Sequence, residues 1–284
     1  MIHRPIHSPI HRPVIRKIMI PGNGRGAVNF SQALALLQPY SPRVALNFQD
    51  TAGSLFTDTA LTSPITTLGT TIGSMTNFVA GQPFPAQSDA AKRPAWDSYT
   101  DGGKTFQAAR FDGVNDCLVI PSLDMSDTDK VCVIAGVRKL IDTPVSANFI
   151  CELTNSVSLG NGGFALFSSE TNSYRFVSKG ESQGIAGAGS FQPAPDTAFL
   201  VAKGDINLPL AQLERNGSLI ASNTDSQGSS NYSNASLNIG ARNNGDSLPF
   251  DGWIHYLFVL GQIPPDAVLE KIRKGLSPRI GEPV

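Results

Sequence analysis

From about residue 106 to residue 260 the sequence repeats one pattern: a short run rich in β-branched and aromatic residues, then a cluster of Gly, Asn, Asp, Ser or Pro. The runs are FQAARF, CLVIPS, KVCVIAGVRK, NFICEL, GFALFSS, YRFVS, TAFLVAKG, AQLERNGSLIASN, ASLNIGAR and WIHYLFVLG. Such side chains fit a pleated, half-buried surface, and turn residues at this spacing close hairpins, so the pattern predicts an all-β, two-sheet antiparallel sandwich. In QLERNGSLIAS the pair Asn216-Gly217 supplies the two positive-φ residues of a type I′ hairpin turn. At 284 residues and 40% hydrophobic content the chain has enough apolar material for the core of one large β domain.

The beginning of the chain follows another rule. MIHRPIHSPIHRPVIRK repeats Ile-His-(Arg/Ser)-Pro; each proline fixes its own φ, pushes the preceding residue toward extended geometry and removes an amide donor. A helix is excluded, and a sheet could accept the segment only at an edge. Residues 1–26 read as an extended assembly arm ending in a glycine hinge, with too little apolar surface to order itself without a neighbour. His3, Arg4, Ile6, His7, Ile10, His11, Arg12, Arg16 and Lys17 are its candidate assembly contacts. The first 26 residues carry Arg4, Arg12, Arg16, Lys17 and Arg25 and no acid, in a chain of net charge −1, so the remainder is mildly acidic. Without aromatic residues for stacking, nucleic acid is not the expected partner of this charge. On an extended chain His3, His7 and His11 stand about 13 Å apart, too far to share one metal. A metal on a symmetry axis, fed by several chains, stays open.

KIMIPGNGRGAVNF contains Gly22-x-Gly24-x-x-Ala27 with Asp50 downstream, the outline of a dinucleotide-binding turn. Pro21 sits where a strand should enter the phosphate turn, and the β-rich remainder does not alternate with helices. Residues 27–43 predict a short helix and linker, with Ser31 as N-cap and Pro39 as stop, before a strand at RVALNF. Residues 50–94 are rich in Thr, Ser, Gly and Pro and predict short strands and long loops. PPDAVLEKIRKGL predicts a short closing helix, with Asp266 in its first turn, basic residues late and Gly275 as its stop. The sandwich itself is assigned to 44–284.

Chemistry leaves few marks. Cys117, Cys132 and Cys151 form no CxxC pair and read as small core hydrophobes. His255, inside WIHYLFVLG, reads as a packed or hydrogen-bonded core residue. GxSxG, HExxH and the closely spaced glutamates of a β-sandwich glucanase are missing from the sequence, so no catalytic residue is expected. In FDGVND, Asp112, Asn115 and Asp116 could offer oxygens to calcium, although a tight turn explains the same residues and no other cofactor is expected. No apolar run approaches a membrane span or a signal-peptide core, so a soluble protein made in a cytoplasm is the expectation.

Two segments taken together resemble a known family. RPAWDSYTDGGKTFQAARFDGVNDCLVI resembles the entry strands of concanavalin A-like (laminin-G-like) jelly rolls, and SLNIGARNNGDSLPFDGWIHYLFVLGQIPPDAVLEKIRKGL resembles their closing strand and helix. LNFQDTAGSLFTDTALTSPITTLGTTIGSM looks like the lead-in of versions carried by tailed-bacteriophage virion proteins. The resemblance implies a jelly-roll sandwich used for glycan binding or protein contacts in a phage tail tip, baseplate or fibre, and it does not imply catalysis. The implied setting is a virion assembled in the host cytoplasm. Implied partners are other virion proteins held by the arm, symmetry copies of the chain with a trimer among the options, and a host-surface polysaccharide. A capsid-decoration, head-fibre or adaptor subunit without ligand is the alternative, and a polysaccharide-degrading enzyme a third. Sugar sites pair an aromatic platform with amide and carboxylate groups on loops, which points to Trp96, Tyr99, Arg242, Asn243, Asn244 and Asp246. For Trp96 the competing reading is a core plug beside Pro94, and for the Asn-Gly loop a plain turn.

Overall fold

The computed structural model describes residues 28–50, 53–142, 147–154, 158–169, 173–187 and 192–282. The arm contacts from His3 to Lys17 and the Gly22-x-Gly24 turn lie outside the described residues. In chain order the strands are β1 (Pro42–Asn47), β2 (Leu55–Phe56), β3 (Thr70–Thr71), β4 (Ser74–Met75), β5 (Ala95–Asp101), β6 (Lys104–Asp112), β7 (Leu118–Asp124), β8 (Lys130–Lys139) and β9 (Asn148–Thr154). They continue with β10 (Gly163–Ser168), β11 (Tyr174–Lys179), β12 (Gln183–Gly187), β13 (Asp196–Asp205), β14 (Leu210–Arg215), β15 (Ser218–Asn223), β16 (Asn234–Ile239) and β17 (Asp251–Leu260). Helix α1 (Phe30–Leu37) precedes them and α2 (Asp266–Leu276) follows.

A large sheet runs β15-β14-β13-β8-β17-β6-β5-β3, with β1 also paired to β17, and a smaller sheet runs β12-β11-β10-β9-β16-β7. The described pairings are antiparallel. The protein is an all-β jelly-roll sandwich with a short helix before it and one after it. The Asn216-Gly217 hairpin joins β14 to β15 with φ of 53° and 82°, as a type I′ turn requires.

Strand parity builds three apolar layers. On β8, Val131, Val133, Ala135 and Val137 face the smaller sheet, while Cys132 and Ile134 face outward beneath the helices. A strand covered on both faces needs a continuous apolar run rather than alternation, and KVCVIAGVRK is one. The central core joins those residues to Ile150, Leu153, Phe164 and Phe176 of the smaller sheet. A second core lies under α1 and α2, where Phe30, Leu37, Leu269 and Ile272 cover Tyr256 and Phe258. All three cysteines are buried and unpaired, and burial pushes their thiols up to about 12.

Two helix signals differ from the sequence expectation. The cap of α1 is Asn29, whose side chain accepts from the Gln32 amide while Gln32 reaches back to the Asn29 amide, so the capping box starts two residues before Ser31. Gly275 does not stop α2, which continues to Leu276. A Cβ at Gly275 would lie 2.3 Å from the Val28 carbonyl oxygen, so this glycine lets the start of the described chain cross the helix. Val28 is thereby fixed in the helical layer. Further along, the described residues of 50–94 contribute the two-residue strands β2, β3 and β4 and a short 3-10 turn at Ala90–Lys92.

Strand β17 changes partner midway. Asp251–Ile254 pairs with β6, Tyr256–Leu260 pairs with β1, and the register against β8 slips between Ile254 and Tyr256, which makes His255 the bulged residue. The imidazole is fully buried, with Nδ1 3.0 Å from Gln49 Nε2 and Nε2 3.0 Å from the Tyr99 hydroxyl. Gln49 Nε2 also donates to the Arg279 carbonyl and its Oε1 accepts from Tyr256, while Tyr99 donates to the Ile280 carbonyl. The network is complete with a neutral ring carrying its proton on Nε2. Burial lowers the imidazole to about 3.

Candidate functional site

The residues singled out from the sequence separate in space. Trp96 is not on an exposed loop: it lies on β5, 5% exposed, with its indole in the central core. Tyr99, three residues on and so of opposite parity, lies against Phe106 and Trp253 under the Arg138 guanidinium, 4.8 Å from the ring centre. Its hydroxyl is occupied by His255, so both aromatics are structural. Asn244 sits at φ 55°, and its side-chain oxygen accepts from Gln87 Nε2 at 2.9 Å. Asp246 holds Lys92 at 2.5 Å. These two bind the loop to the segment before β5. Asn243, also at positive φ, accepts with its carbonyl from the Asp246 amide and serves as the loop's turn.

The Asp112–Asp116 segment is a tight turn whose carboxylates face their own backbone. Asp112 Oδ1 accepts from the amides of Val114 and Asn115, and Asp116 Oδ2 accepts from the Asp112 amide. Burial, followed by the Asp112 charge, raises Asp116 to about 6. Among the described residues no group of three His, Cys, Asp or Glu side chains gathers as a metal site.

Arg242 behaves differently from its loop neighbours. The loop after β16 passes from the smaller sheet to the large one, and its first residue, Gly240, has φ 86° and no room for a Cβ, which would meet the Phe111 ring at 2.1 Å. That close passage delivers Arg242 over the outer face of the smaller sheet. There its Nε and Nη2 grip both oxygens of Glu152 at 2.6–3.1 Å, and its guanidinium lies 4.4 Å from the Phe149 ring centre. Glu152 is fully buried. A buried carboxylate held by a bidentate, ring-stacked arginine is a rigid fixture.

Around this pair β9, β10 and β11 form a trough of about 360 Å³. Its floor is Phe149, Ala165, Phe167 and Val177, with the two phenylalanine rings stacked at 4.9 Å and 10°. Its rim carries Ser158, Lys179 and Arg242. Lys179 Nζ donates to the Leu159 carbonyl at 3.0 Å. An apolar recess with a few fixed polar groups is the usual form of a small-ligand site. Sequence reasoning found Arg242 and missed the rest; the available signal was Glu152, a lone acid in an otherwise apolar strand, which demands a cationic partner.

A larger cleft of about 540 Å³ lies at one end of the sandwich, lined by Arg43, Asp127, Asp129 and Lys130. Its charges are spent on each other, Arg43 on Asp127 and Lys130 on Asp129 and Asp205. The trough is the better candidate because it combines an apolar floor with cations not fully consumed.

No protein-family model and no curated protein matches the chain. Among solved structures it is similar to the botulinum neurotoxin serotype D ligand binding domain in complex with N-acetylneuraminic acid, at 11% identity over 85% of this chain and 52% of that one, with a TM-score of 0.57. The serotype D binding domain in a second structure gives 11% identity, 84% and 52% coverage and a TM-score of 0.55. The CBM40 of the Ruminococcus gnavus IT-sialidase, bound to α2,3 sialyllactose, aligns with 51% of this chain and 83% of its own at 14% identity and a TM-score of 0.41. The chain thus spans about half the length of the toxin chains it matches. The toxin likeness establishes the fold class, a two-sheet jelly-roll sandwich.

Proposed function

We propose that this chain is a non-catalytic, glycan-binding structural protein of a phage virion, in the tail tip, baseplate or fibre, anchored by its N-terminal arm. The observation that carries the glycan reading is the trough, where Arg242 is stacked on Phe149 and locked to the buried Glu152. Stacked rings beside fixed donors suit a sugar, which offers an apolar C–H face and polar edges. The toxin domain solved with N-acetylneuraminic acid shares this fold and supports the same reading. The anchoring half rests on polarity: Val28, where the arm joins the body, lies in the helical layer, and the trough opens on the opposite face, beyond both sheets.

A glycan array of the purified full chain tests the first half. The wild type is expected to retain a defined set of sugars, and Phe167→Ala to bind them about tenfold more weakly, or ~1.4 kcal/mol, while still melting cooperatively. Absence of wild-type binding across the array would sink it. For the second half, removal of residues 1–21 is expected to abolish incorporation into particles with the body's melting temperature unchanged, and normal incorporation refutes the arm's role.

A further inference from the structure

We infer that the trough takes an acidic saccharide, with a ligand carboxylate set between Arg242 and Lys179; the inference rests on the glycan reading above and names the class of sugar. Both cations line the same cavity. Arg242 spends Nε and Nη2 on Glu152, and its Nη1 has no hydrogen-bond partner among the described residues. Lys179 gives one N–H to the Leu159 carbonyl and keeps two of the three an ammonium carries. Glu152, the acid beneath them, is fully buried and neutralised by Arg242, so it does not oppose an incoming anion.

Strand parity sets which side chains flank the trough. Arg175, Val177 and Lys179 alternate with the core-facing Tyr174 and Phe176 along β11, so Arg175 shares the outer face with the trough. A recess with an apolar floor strengthens a charge-assisted hydrogen bond relative to open water. The stacked arginine is also fixed before the ligand arrives, which lowers the ordering cost of binding. The end cleft makes the contrast, because its cations already hold acids of the chain.

Calorimetric titration of the full chain with a panel of uronic-acid and sialic-acid oligosaccharides, each paired with its carboxyl-reduced form, tests the inference. The acidic members are expected to bind at least tenfold more tightly than their reduced partners, and the gap to narrow as salt rises from 50 to about 300 mM. Lys179→Gln is expected to cost the acidic sugars about tenfold more affinity than it costs their reduced partners, and to melt as the wild type does. Equal binding of acidic and reduced forms overturns the charge assignment while leaving the glycan reading intact. A Lys179→Gln variant with unchanged acidic affinity also overturns it. Absence of binding to every member and to a neutral-glycan array removes the underlying reading itself.

Discussion

Arg242→Ala is expected to cost ~3–5 kcal/mol of folding stability, toward the lower end because the guanidinium keeps some contact with solvent. The reason lies in what remains behind: Glu152 has no exposed surface, and among the described residues Arg242 supplies all three of the side-chain hydrogen bonds on its carboxylate. Without the arginine a charge is stranded in the sheet, and the contact with Phe149 is lost as well. Urea unfolding at pH 7 measures the cost. The double variant Glu152→Leu/Arg242→Met removes both charges at similar volume and is expected to return to within ~1 kcal/mol of wild type. A single variant that loses under ~1 kcal/mol would mean that water reaches Glu152 and that the fixture is an ordinary surface pair.

Removal of the Asp116 carboxylate is expected to uncover an acid sensitivity that the wild type conceals. His255, held to about 3 by burial, stays neutral when folded while the unfolded chain takes up a proton below about 6.5. The depressed folded value means that this stability is present in full above pH 6.5 and is lost as pH falls toward 3. Asp116, raised to about 6, has the opposite sign: between about 3.8 and 6 the folded chain holds a proton that the unfolded chain lacks, so stability is lost as pH rises through that window. The two slopes nearly cancel between pH 4.5 and 6. In urea unfolding over that range Asp116→Asn should lose about 1.5 kcal/mol more than wild type on acidification, and His255→Gln about 2 kcal/mol less. Glu282, raised by burial, is common to all three proteins and drops out of the comparison. Parallel curves would show that neither group differs between the folded and unfolded states as assigned.

The fold was legible where local chemistry and tertiary position agree. Runs such as KVCVIAGVRK are apolar on both faces because β8 is covered on both, and Asn216-Gly217 fixes its hairpin without help from the rest of the chain. The misreadings arise where a residue answers to a distant one. Gly275 looks like a helix stop, yet it is small to admit Val28, more than two hundred residues earlier. Trp96 and Tyr99 look like a pair of sugar platforms, but strand parity sends one into the core and the other onto a buried histidine. Of the polar residues singled out in the loop that follows β16, Arg242 reaches the trough, while Asn244 and Asp246 are claimed by Gln87 and Lys92. The trough itself draws on β9, β10, β11 and that loop, and no single stretch of sequence displays residues that meet only after the sheet is assembled.

The strap from Gly240 to Phe250 has a mechanical meaning. It is one of the covalent bridges that leave the smaller sheet and enter the large one, and it bears the arginine on the rim of the trough. Tension applied to something gripped by that guanidinium would travel along peptide bonds into β17, a strand held by three partners, β8, β6 and β1. The sandwich would then resist prying through its backbone, without relying on the oily seam between its halves.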